Sequence, residues 1–379
     1  MNRLVYIILS FCLLAALLCG CAEQAAPAGE TEAQSTEQAD EAVLSDAEEE
    51  SEPEVTTDPN AGDKYEIQVS AMDTMMILTA YGSNAEAALD EAEQLIYDLE
   101  ADLDPETEGG SIYAANAGAG LPVVISRDAM SILETALFYY EDTGGAIDPG
   151  LYPIINAWGF TTKDYRVPSR DELDTLLAQK DTAGIVTDEV NCTVTLPADT
   201  QISLGSVAKG YTAQCVVDLL AERGVTSAVL SLGGNVQTLG DEKPNGSQWQ
   251  VAIMNPHDTG SYVGILSLGQ KAVVTSGGYQ RYFEQDGVTY IHIIDPSDGV
   301  PVSNDLLSVT VVTDDGTVAD ALSTATFVMG KQGALDYYEQ HSDYIDLVLI
   351  TTDDEVIVTP GLVDCFTESD SSYTFTYLN

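Results

Sequence analysis

Val318-Ala319-Asp320-Ala321-Leu322-Ser323-Thr324-Ala325-Thr326-Phe327-Val328-Met329-Gly330 reads as a helix set between two strand-like runs, 308–313 before it and 347–351 after it. The helix is expected over 318–329, ending at Gly330, the residue type that takes a left-handed cap without steric cost. Asp320 and Thr324 lie four apart, so they stand on one face a turn from each other. A carboxylate and a hydroxyl converging there offer oxygen ligands to a hard cation such as magnesium. Alone, the pair has an ordinary reading too: an aspartate favoured near a helix N-terminus and a threonine bonding back to its own turn.

Outward from this segment, helical and extended stretches alternate along the chain. Asn84 is placed to cap a helix running to about Leu103, with Leu89, Leu95, Ile96 and Leu99 at helical spacing. A second helix is expected after Ser126, carrying Met130, Leu133 and Leu137. Ser169 with Glu172 makes a capping box for a third over 170–180, and a fourth runs over about 206–223 to Gly224. Strand-like runs fall at 65–69, 75–81, 228–232, 249–254, 264–268, 272–275, 282–284, 289–294 and 355–359. Turn sequences such as Gln285-Asp286-Gly287 and Thr352-Asp353-Asp354 join neighbours, so a mixed α+β body with antiparallel pairing follows. At about 315 residues that body exceeds a typical single core, and two lobes with the site between them are expected.

Acidic residues number 62 against 13 Lys and Arg, a formal charge of −49. Nucleic acid is excluded as a partner, because a polyanion would meet a field of its own sign. An apolar fraction of 45% still allows a large core. At the front, Arg3 precedes an apolar run over 4–18, and Leu18-Cys19-Gly20-Cys21 has the form of a lipobox. Residues 1–20 then read as a signal peptide, with Cys21 as a lipidated N-terminus on the extracytoplasmic face of the cell membrane. The alternative is an uncleaved anchor, since the run is at the lower limit of a spanning helix. Residues 22–64 hold 14 of the 62 acids and hardly a bulky apolar side chain, as a disordered tether would. Most of the acidity therefore belongs to the body, 65–379. Of six cysteines only Cys192, Cys215 and Cys365 lie there, too few for a disulfide framework.

Several further segments carry chemistry. Ser206-Val207-Ala208-Lys209-Gly210-Tyr211 opens a helix, where free N–H groups and a lysine can receive phosphate, although the Walker glycine spacing is absent. Leu232-Gly233-Gly234-Asn235 and Thr275-Ser276-Gly277-Gly278-Tyr279 are turns through which backbone can approach a ligand. Tyr290-Ile291-His292-Ile293-Ile294-Asp295-Pro296 puts a histidine at a strand end, as base, ligand or core residue. His257 and His341 read as surface residues. Asp148-Pro149-Gly150-Leu151-Tyr152-Pro153 leads to Asn156-Ala157-Trp158-Gly159-Phe160, whose tryptophan can stack on a flat ring or fill the core.

In this order, and with Ala71-Met72-Asp73-Thr74 ahead of them, these segments resemble the ApbE family, the FAD:protein FMN transferases. The resemblance implies transfer of FMN from FAD to a threonine hydroxyl of a target protein, as a phosphoester, with release of AMP. It implies exported electron-transfer proteins as targets. It makes Asp320, Thr324 and the carbonyl of Ser206 ligands of Mg²⁺, and His292 the catalytic histidine. Met72, Ala146, Ile147, Asp148, Lys209 and Ile294 fall where the family contacts FAD. A metal bridging phosphate oxygens offsets charge in such a transfer, and a neutral histidine can take the proton of the hydroxyl. Three positions depart from the family pattern: Ser203 and Gln214 replace aspartates, and Asp73 replaces the glycine of Met-Gly-Thr. Two rival readings remain at this point, an FAD pyrophosphatase that gives FMN and AMP, and a non-catalytic flavin-binding lipoprotein.

Overall fold

Nine strands form one sheet in the order Lys64–Ala71, Thr74–Tyr81, Ala228–Leu232, Asn235–Leu239, Ala272–Gly277, Leu306–Thr313, Asp346–Thr351, Glu355–Val358 and Thr374–Tyr377. The computed structural model describes residues 62–118 and 120–379. Within the sheet every pair is antiparallel except Glu355–Val358 with Thr374–Tyr377. Its central strands are apolar on both faces, and the period of two sorts their residues. Ala272, Val274, Val309, Val311, Leu347 and Leu349 enter one cluster with the helices. Val273, Val312, Val348 and Ile350 enter another, built with Trp249, Leu266 and Phe366 of a three-stranded sheet. The architecture is the mixed α+β one expected. All described residues fall in one compact unit. The division into two lobes expected from length is thus replaced by a single body, because strands from both halves of the chain share the sheet. The expected signal peptide, the lipidated Cys21 and all but the last residues of the tether lie outside the described residues, and the first strand starts at Lys64. Among the described residues no helix is long and apolar enough to cross a membrane.

Local chemistry explains the helix ends. Ser126 caps Arg127–Asp142 by accepting from the N–H of Ala129. Asn84 does not cap Ala85–Leu103; its amide instead donates to the carbonyl of Arg223 at 2.9 Å and ties two helices together. Half of the expected capping box forms: Ser169 accepts from the Glu172 N–H, while the Glu172 carboxylate turns to Arg166. The decisive helix spans Gly316–His341, and Gly330, with φ 72°, breaks it where its end was expected. Beyond the break Lys331 N–H finds Asp305 Oδ1 and the helix resumes, a continuation the glycine conceals in the sequence.

The His292 segment follows a separate hairpin, Tyr282–Gln285 with Val288–Ile291, closed by the expected Gln285-Asp286-Gly287 turn. Its strand ends at Ile291, short of the expected 294, and Ile294 makes only an isolated bridge to Pro301. Stacked rings of Tyr165, Phe283 and Tyr290, with Trp158 tilted against them, seat the hairpin. Trp158 is 1% exposed and donates to the Gly299 carbonyl at 2.8 Å, so it fills the core rather than presenting a ring to a ligand.

Candidate active site

Two helices meet at the centre of the site, Ala208–Glu222 and Gly316–His341. They approach so closely at Gly210 that a Cβ there would lie 2.1 Å from the Gly316 carbonyl oxygen and 2.5 Å from Asp320 Cβ. This contact lets the Gly210 N–H donate to Asp320 Oδ2 at 2.8 Å. Asp320 is 4% exposed; burial pushes its carboxyl up, while Lys209, the N–H groups of Lys209 and Gly210, and Asn235 pull it down. The ordinary reading of Asp320 and Thr324 falls on their neighbours. Asp315 caps the helix by accepting from the N–H groups of Thr317 and Val318. Ser323 and Thr326 bond back to the carbonyls of Asp320 and Leu322. Thr324 instead points its hydroxyl to Ser276 Oγ, 3.4 Å away, which also meets Ser323 Oγ at 2.9 Å. Ser276 stood in a segment singled out for its glycines and was not itself expected at the site.

These oxygens suit a hard cation. Because Gly210 gives its N–H to Asp320, the Ser206 carbonyl lacks the helical donor that the fourth residue on ordinarily supplies. Among the described residues no three His, Cys, Asp or Glu side chains gather as a metal cage. A cation here would thus be held by one carboxylate, a hydroxyl and a carbonyl, a donor set for magnesium more than for zinc.

His292 is part-buried, and both its N–H and its Nδ1 lie 3.1 Å from the Arg281 carbonyl. A carbonyl only accepts, so Nδ1 carries the proton and Nε2 keeps a free lone pair. Burial, then the charges of Arg281 and Lys209, push the imidazole down to about 3. The charge of Lys209 thus lowers both groups, His292 and Asp320.

The expected flavin contacts flank this centre. Met72, in a left-handed conformation at φ 51°, receives the Thr212 hydroxyl at Sδ, 3.7 Å away, on the Lys209 helix. Ala146 and Asp148 line a cavity of about 350 Å³ with Tyr140, Lys180, Asp295 and Pro296. Ile147 and Ile294 are buried in hydrophobic clusters, which leaves only their backbone for a ligand. Asp148 is also committed: its carboxylate takes Lys180 Nζ at 2.6 Å, the Thr182 hydroxyl at 2.6 Å and the Gly150 N–H at 2.8 Å. Lys180 also donates to the Pro296 carbonyl at 3.0 Å and so ties the Asp148 turn to the His292 segment. Its place at a helix end gave no signal for this in the sequence. His257 pairs with the exposed Asp354, and His341 stacks on Tyr337 in a last helical turn, both apart from the site.

The departures have structural roles. Ser203 accepts from the Gly205 N–H and gives its own N–H to Pro149, shaping the approach to the Lys209 helix. Gln214 Oε1 accepts from Gly316 N–H at 3.2 Å and from Gln237 at 2.7 Å, so it fastens the helix junction. Asp73 occupies a left-handed turn position, φ 59°, that aspartate tolerates better than most residues, and faces Arg281 and Lys163.

An α+β body that packs a lysine-bearing helix onto a buried carboxylate, and fixes Nδ1 of a histidine on a backbone carbonyl, carries groups that a transferase can use. The chain belongs to the ApbE family, whose model matches residues 72–349. It is 36% identical over 293 residues to an FAD:protein FMN transferase of Treponema pallidum, covering 73% of this chain and 81% of that one. A second FAD:protein FMN transferase, from Klebsiella pneumoniae, is 31% identical over 312 residues, 82% of this chain and 96% of its own. The crystal structure of the ApbE protein of Thermotoga maritima superposes with a TM-score of 0.72 at 26% identity, covering 82% of this chain and 98% of the other.

Proposed function

We propose that this protein transfers FMN from FAD to a threonine hydroxyl of an exported electron-transfer protein, from a lipid-anchored position on the extracytoplasmic face of the membrane. The observation that supports the reading is the close helix junction at which Gly210, next to Lys209, gives its N–H to the buried Asp320 at 2.8 Å, together with a His292 whose Nδ1 is taken by the Arg281 carbonyl. The threonine oxygen forms a bond to the FMN phosphorus, the bond from that phosphorus to the bridging oxygen breaks, and AMP leaves with that oxygen. The hydroxyl proton passes to Nε2 of His292, the nitrogen that the Arg281 carbonyl leaves free. Lys209 meets negative charge on the pyrophosphate. The backbone of residues 146–148 and of Ile294, with Met72, orients the flavin nucleotide. Mg²⁺, held by Asp320, Thr324 and the Ser206 carbonyl, would supply electrostatic stabilisation to the phosphate oxygens.

The test uses the purified protein with FAD, Mg²⁺ and an exported domain bearing an acceptor threonine, read by intact mass and in-gel flavin fluorescence. A mass gain equal to FMN less one water, lost with EDTA and with Asp320→Asn, is expected. Cleavage of FAD to free FMN and AMP with no labelled target would overturn the reading in favour of a pyrophosphatase. Tight FAD binding without cleavage would reduce it to a flavin-binding lipoprotein.

A further inference from the structure

Hairpin register dictates one juxtaposition at the site. Tyr282 pairs with Ile291, so Arg281 and His292, the residues just outside that pair, face each other across the mouth of the hairpin. The ladder continues there as His292 N–H to the Arg281 carbonyl, and the same oxygen takes Nδ1–H with its second lone pair. The Arg281 side chain does not follow the strand. It crosses to two other elements, donating through Nη2 to the Phe160 carbonyl and to Asp73 Oδ2 at 3.4 Å.

We infer that Arg281 is the positioning residue for His292: its carbonyl fixes which imidazole nitrogen holds the proton, and its guanidinium, anchored by Phe160 and Asp73, holds that carbonyl in place at the mouth of the hairpin. The inference rests on the proposed role of His292 as proton acceptor. Charges facing His292 are Arg281 from the hairpin and Lys209 from the helix; Asp73 and Lys163 face the guanidinium from the turn and the loop. The Arg281–Asp73 pair is half exposed and contributes little stability by itself. Its effect is one of direction. It holds the guanidinium between Phe160 and Asp73, and that cation adds to the cost of a second positive charge on the ring. The left-handed Asp73 brings a carboxylate to this point, where glycine would bring none.

The experiment reads His292 directly, by ¹⁵N imidazole NMR of the whole protein without substrate. The protein has only three histidines, and His292→Gln assigns the signal by its loss. In the wild type, His292 is expected as the Nδ1–H tautomer, neutral down to pH 5. Arg281→Gln keeps the backbone carbonyl and removes the charge, so the tautomer should persist while the protonation midpoint rises by about one pH unit or more. Arg281→Lys, which keeps the charge, should stay near the wild type. His257, paired with Asp354 far along the chain, reports that each variant is folded. A wild-type Nε2–H tautomer, or an Arg281→Gln midpoint equal to the wild type, overturns the inference. Failure of the wild type to flavinylate any target, with these shifts observed, would instead reject the proposed reaction and leave the control of His292 standing.

Discussion

Replacing Gly210 with alanine puts a methyl group where two helices already touch. Its Cβ would meet the Gly316 carbonyl oxygen at 2.1 Å and Asp320 Cβ at 2.5 Å, and neither is the end of a flexible side chain. Two effects oppose each other. Alanine gains about 1 kcal/mol over glycine in a helix interior. Overpacking a joint that can relax only by moving a helix costs about 1–3 kcal/mol or more. Contacts this short favour the upper end of that range, so a net loss of about 1–2 kcal/mol is expected, a fall in Tm of a few degrees. The functional loss should be larger than the loss of stability. Any separation of the helices also withdraws Asp320 from the Gly210 N–H and from Ser206, and a displacement of about 1 Å at such a site can cost 100-fold in rate. Thermal unfolding and a Mg²⁺ titration of FMN transfer measure the two effects. Gly205→Ala is the control, since its Cβ would find only Ser203 Oγ at 3.5 Å. A Gly210→Ala protein with wild-type Tm and wild-type Mg²⁺ dependence would refute the close-packed junction as the feature that places Asp320.

Ser276→Ala removes the hydroxyl 3.4 Å from Thr324 Oγ1, and the Mg²⁺ concentration for half-maximal transfer should rise roughly 10-fold with little change at saturation; an unchanged titration would place Thr324 outside the metal site. Lys180→Met leaves the carboxylate of Asp148, 1% exposed, without its cation, and should cost about 3 kcal/mol in urea unfolding. Adding Asp148→Asn should recover part of that loss, and a double variant no more stable than the single one contradicts the pairing. His292 ionises below its unfolded value, so its contribution to stability is fully present above about pH 6.5 and disappears as pH falls toward 3. Acid unfolding curves of His292→Gln should therefore be flatter than the wild type across that window; parallel curves would mean that the ring is protonated in the native state.

The sequence named most residues of the candidate site, and the contacts it could not name have identifiable causes. Spacing alone brought Asp320 and Thr324 to one helix face, but could not decide whether they serve the helix or a ligand. The contact that ties Asp320 to the neighbouring helix, from the Gly210 N–H, comes from a residue 110 positions away. The longer helices with clear caps or glycine stops were found, whereas the short Tyr152–Trp158 was missed despite Gly159 at its end and the continuation past Gly330 was hidden by the glycine itself. The strand Asn235–Leu239 was missed because Gln237 and Thr238, polar by type, are buried in it. Lys180 and Asp148 are 32 positions apart with nothing in the intervening sequence to pair them.

Arg281 differs from these, because its signal was present and unused. Once Gln285-Asp286-Gly287 is taken as the hairpin turn, antiparallel pairing outward from it sets Gln285 against Val288 and Tyr282 against Ile291, and so Arg281 against His292. Register arithmetic thus predicts a shared carbonyl before any coordinates are known. It cannot predict where the guanidinium goes, since that depends on Phe160 and on the turn holding Asp73, both brought in by the fold. The distinction is physical. Backbone ladders propagate locally and are legible along a strand, while a side chain that leaves its strand finds partners set by tertiary packing. In a chain with only 13 Lys and Arg, two of them, Arg281 and Lys209, both lower the same histidine, and the hairpin mouth and the helix start are the features that carry them.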